Sequence, residues 1–389
     1  MEYDLVSHAI QSVVGSSSAF CKFLTANDTG ATGAHQSGVL ISKSAAGMLF
    51  DEDLRNHEKL KRYVNINWQN ELVTQSCFTY YRSKNELRIT RFGRGFPYLR
   101  SHQTGALFVL TRQDSDDYSG FFLETENDIE NFLNAFGISP TETNRLIHTN
   151  SSNILKEELE IQDFINSLQE EFPPSEQMAA AARMIQDKVY NHVDYIQSNP
   201  DQKIIDWTTM EYTLFRALEQ ARYGHTILQG FPSVDMFIDM ANKVLNRRKS
   251  RAGKSLEHHL AAIFDGNQIR YSAQAITEGH KRPDFLFPSG EAYQDSNFPS
   301  EKLVSLAAKT TCKDRWRQII NEADRLRNRP KFLCTLQQGI SSTQLEEMEQ
   351  ERVVLVVPKP YISAYPSVWR DRIWTLSKFI SYVQELETC

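Results

Sequence analysis

The 389-residue sequence predicts an α/β protein in two parts, a β-rich N-terminal unit and an α/β C-terminal unit. Three observations carry this. Residues 1–150 hold short β-rich runs separated by turn residues. Near the C-terminus, Phe332–Leu336 and Val353–Val357 are near-continuous apolar runs separated by a helical stretch, the pattern of buried parallel or mixed strands. Between the units, residues 151–176 read as an acidic linker with some helix content, ending in Phe172-Pro173-Pro174-Ser175.

In the first unit, residues 1–150, the expected strands include Val39–Ile41, Cys77–Tyr81, Leu87–Thr90, Ala106–Leu110 and Phe121–Leu123. Thr25 to Gly38 is rich in Gly, Thr, Asn and Asp and reads as a long loop with His35 at its tip. Arg88, Arg91 and Arg94 lead into a second glycine-rich loop. Two polar arms, one with Asp28, Thr29 and His35 and one with three arginines, have the chemistry to grip a major groove. The same residues also suit a pair of solvated loops.

The second unit, residues 177–389, opens with helices expected at Gln177–Ile196, Asp206–Leu228 and Val234–Leu245, the last capped by Ser233. A further helix, Ser255–Phe264, carries Glu257 beside its apolar face. His258 and His259 are adjacent and cannot face one metal from a helix, so they read as surface or packing residues. A Ser341–Arg352 helix separates the two apolar runs, and Val368–Leu386 is helical.

Net charge is −6, which alone speaks against nucleic acid, but its distribution matters more than its sum. Lys243 to Lys254 holds six cations and no acid, whereas Lys156 to Glu176 holds seven acids and one cation. The five cysteines are scattered and form no Cys-x-x-Cys, which argues against a disulfide framework or zinc site and for a reducing, cytoplasmic setting. No signal peptide or membrane span is expected.

The chemistry concentrates between Arg282 and Glu322. Asp284 follows Pro283 and leads the apolar run Phe285–Phe287; a second apolar run, Leu303–Ala308, ends at Lys309. Two strand ends of this kind bring a carboxylate for a hard divalent cation and a lysine for a charged phosphate to one point. Metal-dependent nucleases usually carry an acid two residues before the lysine; here that position is Ala307. Glu322, thirteen residues after Lys309 on an expected helix Asp314–Arg327, is placed to restore it. Lys313, Asp314 and Arg315 combine donors for guanine with an acceptor for cytosine N4, the composition that reads C·G pairs; Asp314 also suits an N-cap.

Several long words carry a family resemblance: Asn246–Glu257, Ala275–Gly279, Lys309–Gln318, Ala26–Gly33 and Arg88–Gly95. They resemble the EcoRII family of Type II restriction endonucleases. The resemblance spans most of the chain and is strongest over residues 230–330. It implies a B3-like DNA-binding pseudobarrel followed by a PD-(D/E)XK restriction-endonuclease-like domain. It further implies a Mg²⁺-dependent homodimer that cuts both strands of DNA at a near-palindromic site, CCWGG, and is stimulated by a second copy of the site at the N-terminal domain. A cognate DNA methyltransferase would act on the same site, in a prokaryotic cytoplasm. By the same resemblance Glu257 is the fourth acidic residue and Tyr293 lies near the active site. Lys313, Asp314 and Arg315 read the outer CC:GG pairs, and Tyr212 stacks on a flipped central base, with Thr208 where the family has a partner arginine. The alternative is a non-cleaving DNA-binding regulator with an inactive nuclease fold; the intact Asp284, Lys309 and Glu322 count against it.

Overall fold

A computed structural model describes residues 5–32, 38–113, 116–147, 155–190, 192–313 and 315–388. In chain order the first unit contains α1 (Leu5–Val14), β1 (Ser18–Phe23), β2 (Val39–Ile41), α2 (Ala46–Leu49), β3 (Lys59–Trp68), β4 (Val73–Tyr81), β5 (Glu86–Thr90), β6 (Leu107–Arg112), β7 (Asp117–Leu123), α3 (Glu126–Phe136) and β8 (Arg145–Ile147). The strands form one curled sheet in the order β2-β5-β4-β3-β7-β6-β1-β8, antiparallel except for the β3–β7 pair. The concave core is aromatic, with Trp68, Phe78, Phe108, Tyr118 and Phe122. On the other side, Cys21, Phe23, Val109 and Leu123 pack under α1 and α3. A strand buried on both faces loses the alternation of a half-exposed strand, and β1 (SAFCKF) accordingly buries every residue after Ser18, Lys22 included.

The second unit contains α4 (Leu155–Ser167), α5 (Ser175–Tyr190), α6 (Tyr195–Ser198), α7 (Pro200–Gln229), α8 (Val234–Gly266), β9 (Ser272–Ala273), β10 (Phe285–Phe287), α9 (Gly290–Gln294), β11 (Val304–Lys309), β12 (Lys331–Thr335), α10 (Ser342–Gln350), β13 (Val353–Val356) and α11 (Leu376–Thr388). The sheet order is β13-β12-β11-β10-β9: β11, β12 and β13 run parallel, β9 and β10 antiparallel. Helices α7, α8 and α11 cover one face through Trp207, Leu260, Phe264 and Phe379. Trp316, Leu345 and Met348 cover the other.

Two expectations change. The helices expected at 234–245 and 255–264 are one 33-residue helix running through the basic block, because Arg and Lys are good helix formers and no Pro interrupts them. The acidic stretch is not all linker: α4 buries Ile161 and Ile165 against α5 and α7. Ser233 caps α8 as expected, accepting from the Met236 amide at 3.2 Å. Among the described residues, no helix is long and apolar enough to cross a membrane.

Candidate active site

The antiparallel pairing of β10 with β11 sets Phe285 opposite Leu306 and so brings Asp284 to the end of β11. There Asp284 Oδ2 accepts from the Ala308 amide at 2.8 Å and from Lys309 Nζ at 3.2 Å. Gln274 adds a link that the sequence did not suggest. Its Nε2 donates to Asp284 Oδ1 at 2.9 Å and to Glu257 Oε2 at 3.0 Å. It is held there in the left-handed region, φ 52°, uncommon for a residue with a side chain and concentrated at functional sites.

Three carboxylates share this corner electrostatically. Burial raises the Glu257 carboxyl and the charge of Asp284 raises it further, against the opposing Lys254 ammonium at 2.9 Å. Glu322 is pushed up to about 7, chiefly by burial; Lys309 opposes the shift and Asp284 adds to it. Glu322 does not sit on an α-helix as expected. The chain makes 3-10 turns at Arg315–Asn321 and Asp324–Leu326, and Glu322 lies between them. Ala307, in the place of the missing acid, packs in the core with Trp316 and Leu333.

The donor set suits Mg²⁺, a hard ion that takes a few carboxylates and fills its shell with water and substrate oxygens. Among the described residues no three His, Cys, Asp or Glu side chains form a ready-made cage. Burial raises Glu257 and Glu322 first and the Asp284 charge adds to it; a divalent cation would offset both by favouring the charged carboxylates.

The expected DNA-reading residues lie beside this corner, under the first unit. A cavity of about 420 Å³ is lined by Tyr212, Lys309, Thr311 and Arg315 and closed by Glu130, Asn131 and Asn134 of α3. Glu126 on α3 accepts from the Arg315 amide at 2.8 Å and from its Nε at 2.9 Å, and Glu130 pairs with the same guanidinium. Thr311 Oγ1 donates to both acids. Lys313 is buried, its carbonyl accepting from Gln344 Nε2 at 2.8 Å; Asp314 lies outside the described residues. Tyr212 is buried with the Arg251 guanidinium 4.0 Å from its ring centroid, and Thr208 Oγ1 donates to the Ile204 carbonyl. Tyr293 is also buried: its hydroxyl donates to Glu278 at 2.6 Å and accepts from the Arg325 amide, just past Glu322, at 3.1 Å.

Further contacts seal the two units. Glu142 is clasped by Arg216 at 2.6 Å, and Arg248 donates to the Asn134 carbonyl at 2.9 Å. Burial pushes Glu142 up, but Arg216 and Arg145 outweigh it and hold the carboxyl below the usual range. Gly105, at φ 85°, lies so close to Gly339 that a Cβ would drive into the Gly339 carbonyl.

In the N-terminal arms the structure corrects three expectations. Asp28 is buried, ion-paired to Lys22 at 2.7 Å and accepting from the Leu40 amide at 2.9 Å; it ties the loop together rather than facing outward. Thr29 is buried against Thr104, and Arg88 is buried on Glu86 at 2.9 Å. A loop carboxylate that satisfies local amides competes with any outward role. Arg91 and Arg94 are exposed, with Arg91 over the Tyr63 ring. His35 lies outside the described residues.

The family description EcoRII C terminal matches residues 215–380, and Restriction endonuclease EcoRII, N-terminal matches residues 13–143. The Type II restriction enzyme EcoRII of Escherichia coli is 36% identical, covering 93% of each chain. The chain belongs to the EcoRII family of Type II restriction endonucleases. It is thus a site-specific deoxyribonuclease by family. The Type II restriction enzyme SsoII of Shigella sonnei is 31% identical over 126 residues, 30% of this chain and 40% of that one. A solved structure of metal-depleted Ecl18kI in complex with uncleaved, modified DNA is similar at 20% identity and a TM-score of 0.47, covering 60% of this chain and 85% of that one.

Beyond the family words, reading the sequence missed Gln274, Glu126 and Glu130. The acid pair had a signal, Thr125 capping a helix with acids four residues apart. Nothing in sequence places that helix on Arg315.

Proposed function

We propose that this EcoRII-family enzyme hydrolyses both strands of double-stranded DNA at a short C/G-rich near-palindromic site, CCWGG. It acts in the cytoplasm as a homodimer, alongside a methyltransferase for the same site. The observation that carries the chemistry is the convergence of Asp284, Lys309, Gln274 and Glu257 at one sheet corner. Asp284 and Glu322 would hold Mg²⁺, with Glu257 reached through Gln274. When bound, the ion supplies a Lewis acid for the phosphoryl oxygens and a water of lowered pKa. The Lys309 ammonium stays beside Asp284 and is positioned to steady charge on the phosphoryl group. Arg315, with Lys313 and Asp314, would read the outer C·G pairs, and Tyr212 would stack on a central base.

Residues 1–150 would form the effector domain, gripping a second copy of the site through Arg91, Arg94 and the His35 loop, and residues 177–389 the catalytic domain. Supporting a restrained state is the seating of Glu126 and Glu130 on Arg315, since a carboxylate there competes with guanine acceptors. Effector DNA releases the enzyme if it binds the opened arrangement better than the closed one. The test is cleavage of one-site and two-site plasmids with and without Mg²⁺. Mg²⁺-dependent double-strand cutting that favours two sites is expected. Specific binding without cutting under every condition would instead leave a DNA-binding regulator.

A further inference from the structure

We infer that Gln274 is the residue that confines the catalytic corner to one divalent cation: its side-chain amide spans Asp284 and Glu257, the place where a second cation would otherwise bridge them. This rests on the Mg²⁺ reading of the proposed function and deepens it.

The register of β9 on β10 sets Gln274 beside Asp284. Ala273 pairs with Phe285, and the Gln274 backbone amide donates to the Asp284 carbonyl at 3.1 Å. The side chain then turns into the corner. A carboxamide nitrogen carries two hydrogens, and here both are used. One goes to Asp284 Oδ1 at 2.9 Å and the other to Glu257 Oε2 at 3.0 Å. A donor shared between two carboxylate oxygens links them with a neutral dipole, as a bridging ion would with charge. The backbone bears a cost for this. Gln274 is held at φ 52°, a conformation that glycine takes freely and a residue with a Cβ does not. Glycine there would lose both side-chain bonds.

The remaining contacts sort the three carboxylates. Glu257 already has a cation, with Lys254 Nζ at 3.2 Å and 2.9 Å from its two oxygens. Asp284 Oδ2 takes the Ala308 amide and Lys309. Among the described residues Glu322 accepts no hydrogen bond through its carboxylate, and Lys309, Asp284 and Lys281 act on it through charge alone. The carboxylate open to an ion is therefore Glu322, opposite Asp284, and Glu257 is an outer group that holds Gln274. The three acids do not close on one point, and no three-residue metal cage forms among the described residues. The same loop reaches the far side of the corner, where Thr277 Oγ1 donates to the Glu322 carbonyl. Gln274 is thus a positioning residue that acts on the ion through Asp284. Gln274→Glu would remove both donors and set a third negative charge between Asp284 and Glu257. Converging hard oxygens of that kind are what a divalent cation takes.

Binding of Mn²⁺, which takes the same oxygen ligands as Mg²⁺, would be measured on the full-length chain without DNA. Calorimetry and electron paramagnetic resonance give the number bound and the affinity, with circular dichroism to verify folding. Wild type should take one Mn²⁺ per chain. Gln274→Met keeps the side-chain length and removes the donors. It should still take one ion but bind it about 10- to 100-fold more weakly, the loss expected when a ligand's hydrogen-bond partner is removed. Gln274→Glu should take two. Glu257→Gln should still take one, because Glu257 is not a ligand. Unchanged affinity in Gln274→Met, a single ion in Gln274→Glu, or two ions in wild type that fall to one in Glu257→Gln each overturns the role of Gln274 and leaves the metal site standing. A wild type that binds no Mn²⁺ overturns both.

Discussion

On the proposed two-site model, replacing Glu126 and Glu130 together by Gln should let the enzyme cut DNA that carries a single site. The exchange keeps side-chain size and an amide oxygen for the Arg315 N–H, and removes only charge. Two charge-assisted contacts to one guanidinium are weakened, each worth about 1.5–3 kcal/mol where solvent is excluded. Solvent is only partly excluded: the Glu126 side chain is 4% exposed, but Arg315 is 38% exposed. Discounting for that screening leaves roughly 1.5–3 kcal/mol for the pair together. At about 1.4 kcal/mol per decade, the balance between closed and open arrangements moves some 10- to 100-fold toward open. The assay is the initial rate on one-site and two-site plasmids at fixed Mg²⁺ and salt. The one-site rate should rise toward the two-site rate, with the latter little changed, because the altered residues lie outside the catalytic corner. A folded double variant whose one-site rate stays within about twofold of wild type would refute the acid clasp as the restraint.

Four further outcomes follow from the same geometry. Asp284→Ala or Lys309→Ala should abolish cleavage while leaving site-specific binding in gel-shift measurements; wild-type-like cutting by either would remove it from the chemistry. Arg315→Ala also breaks the clasp, yet it should lose about 1–3 kcal/mol of discrimination at a C·G pair, measured on single-substituted sites; a uniform loss over all sequences would make Arg315 a phosphate contact instead. Gly105→Ala, forced against the Gly339 carbonyl at positive φ, should cost about 1–3 kcal/mol and speed one-site cutting; an unchanged Tm and rate would show that the close approach does not matter. Glu322, pushed up to about 7, is neutral below that pH and charged above it, so Mg²⁺ affinity measured by calorimetry without DNA should climb from about pH 6 to about pH 8, and Glu322→Gln should flatten the climb.

The meeting of Asp284 and Lys309 was legible because it is local. Asp284 leads one strand and Lys309 ends the next, and antiparallel pairing is a short-range consequence of two apolar runs. The parallel strands β12 and β13 were legible for the same reason, each a nearly unbroken apolar run flanking a helix. Legibility failed where polar residues fold inward. Asp28 has the sequence context of an exposed loop, yet its oxygens are consumed by Lys22, Thr25 and Leu40. Strand β3 went unread although it alternates, with Lys59, Lys61, Asn65 and Asn67 exposed and Val64, Ile66 and Trp68 buried; Arg62 in the inward register interrupts its apolar face. Glu322 was read as helical because its neighbours are good helix formers, but the tertiary fold holds that stretch in 3-10 turns.

The clasp and the recognition role proposed for Arg315 would be one chemistry seen from two sides. A guanidinium offers a rigid fork of donors that suits a carboxylate and a guanine edge alike. An inhibitory surface that displays acids at such an arginine would therefore need no pocket of its own; it would borrow the one proposed to receive DNA. It also follows that the restraint and substrate binding are mutually exclusive at that atom group. Substrate must then bind less tightly to the closed arrangement by the free energy of the clasp, and any ligand that draws α3 away tightens substrate binding by the same amount. Helix α3 packs on the sheet of the first unit through Ile129, Phe132 and Leu133, while its acids point across to Arg315. In the proposed effector model, a shift of that sheet on binding DNA would carry the acids with it, so the helix rather than a flexible linker would couple the two units.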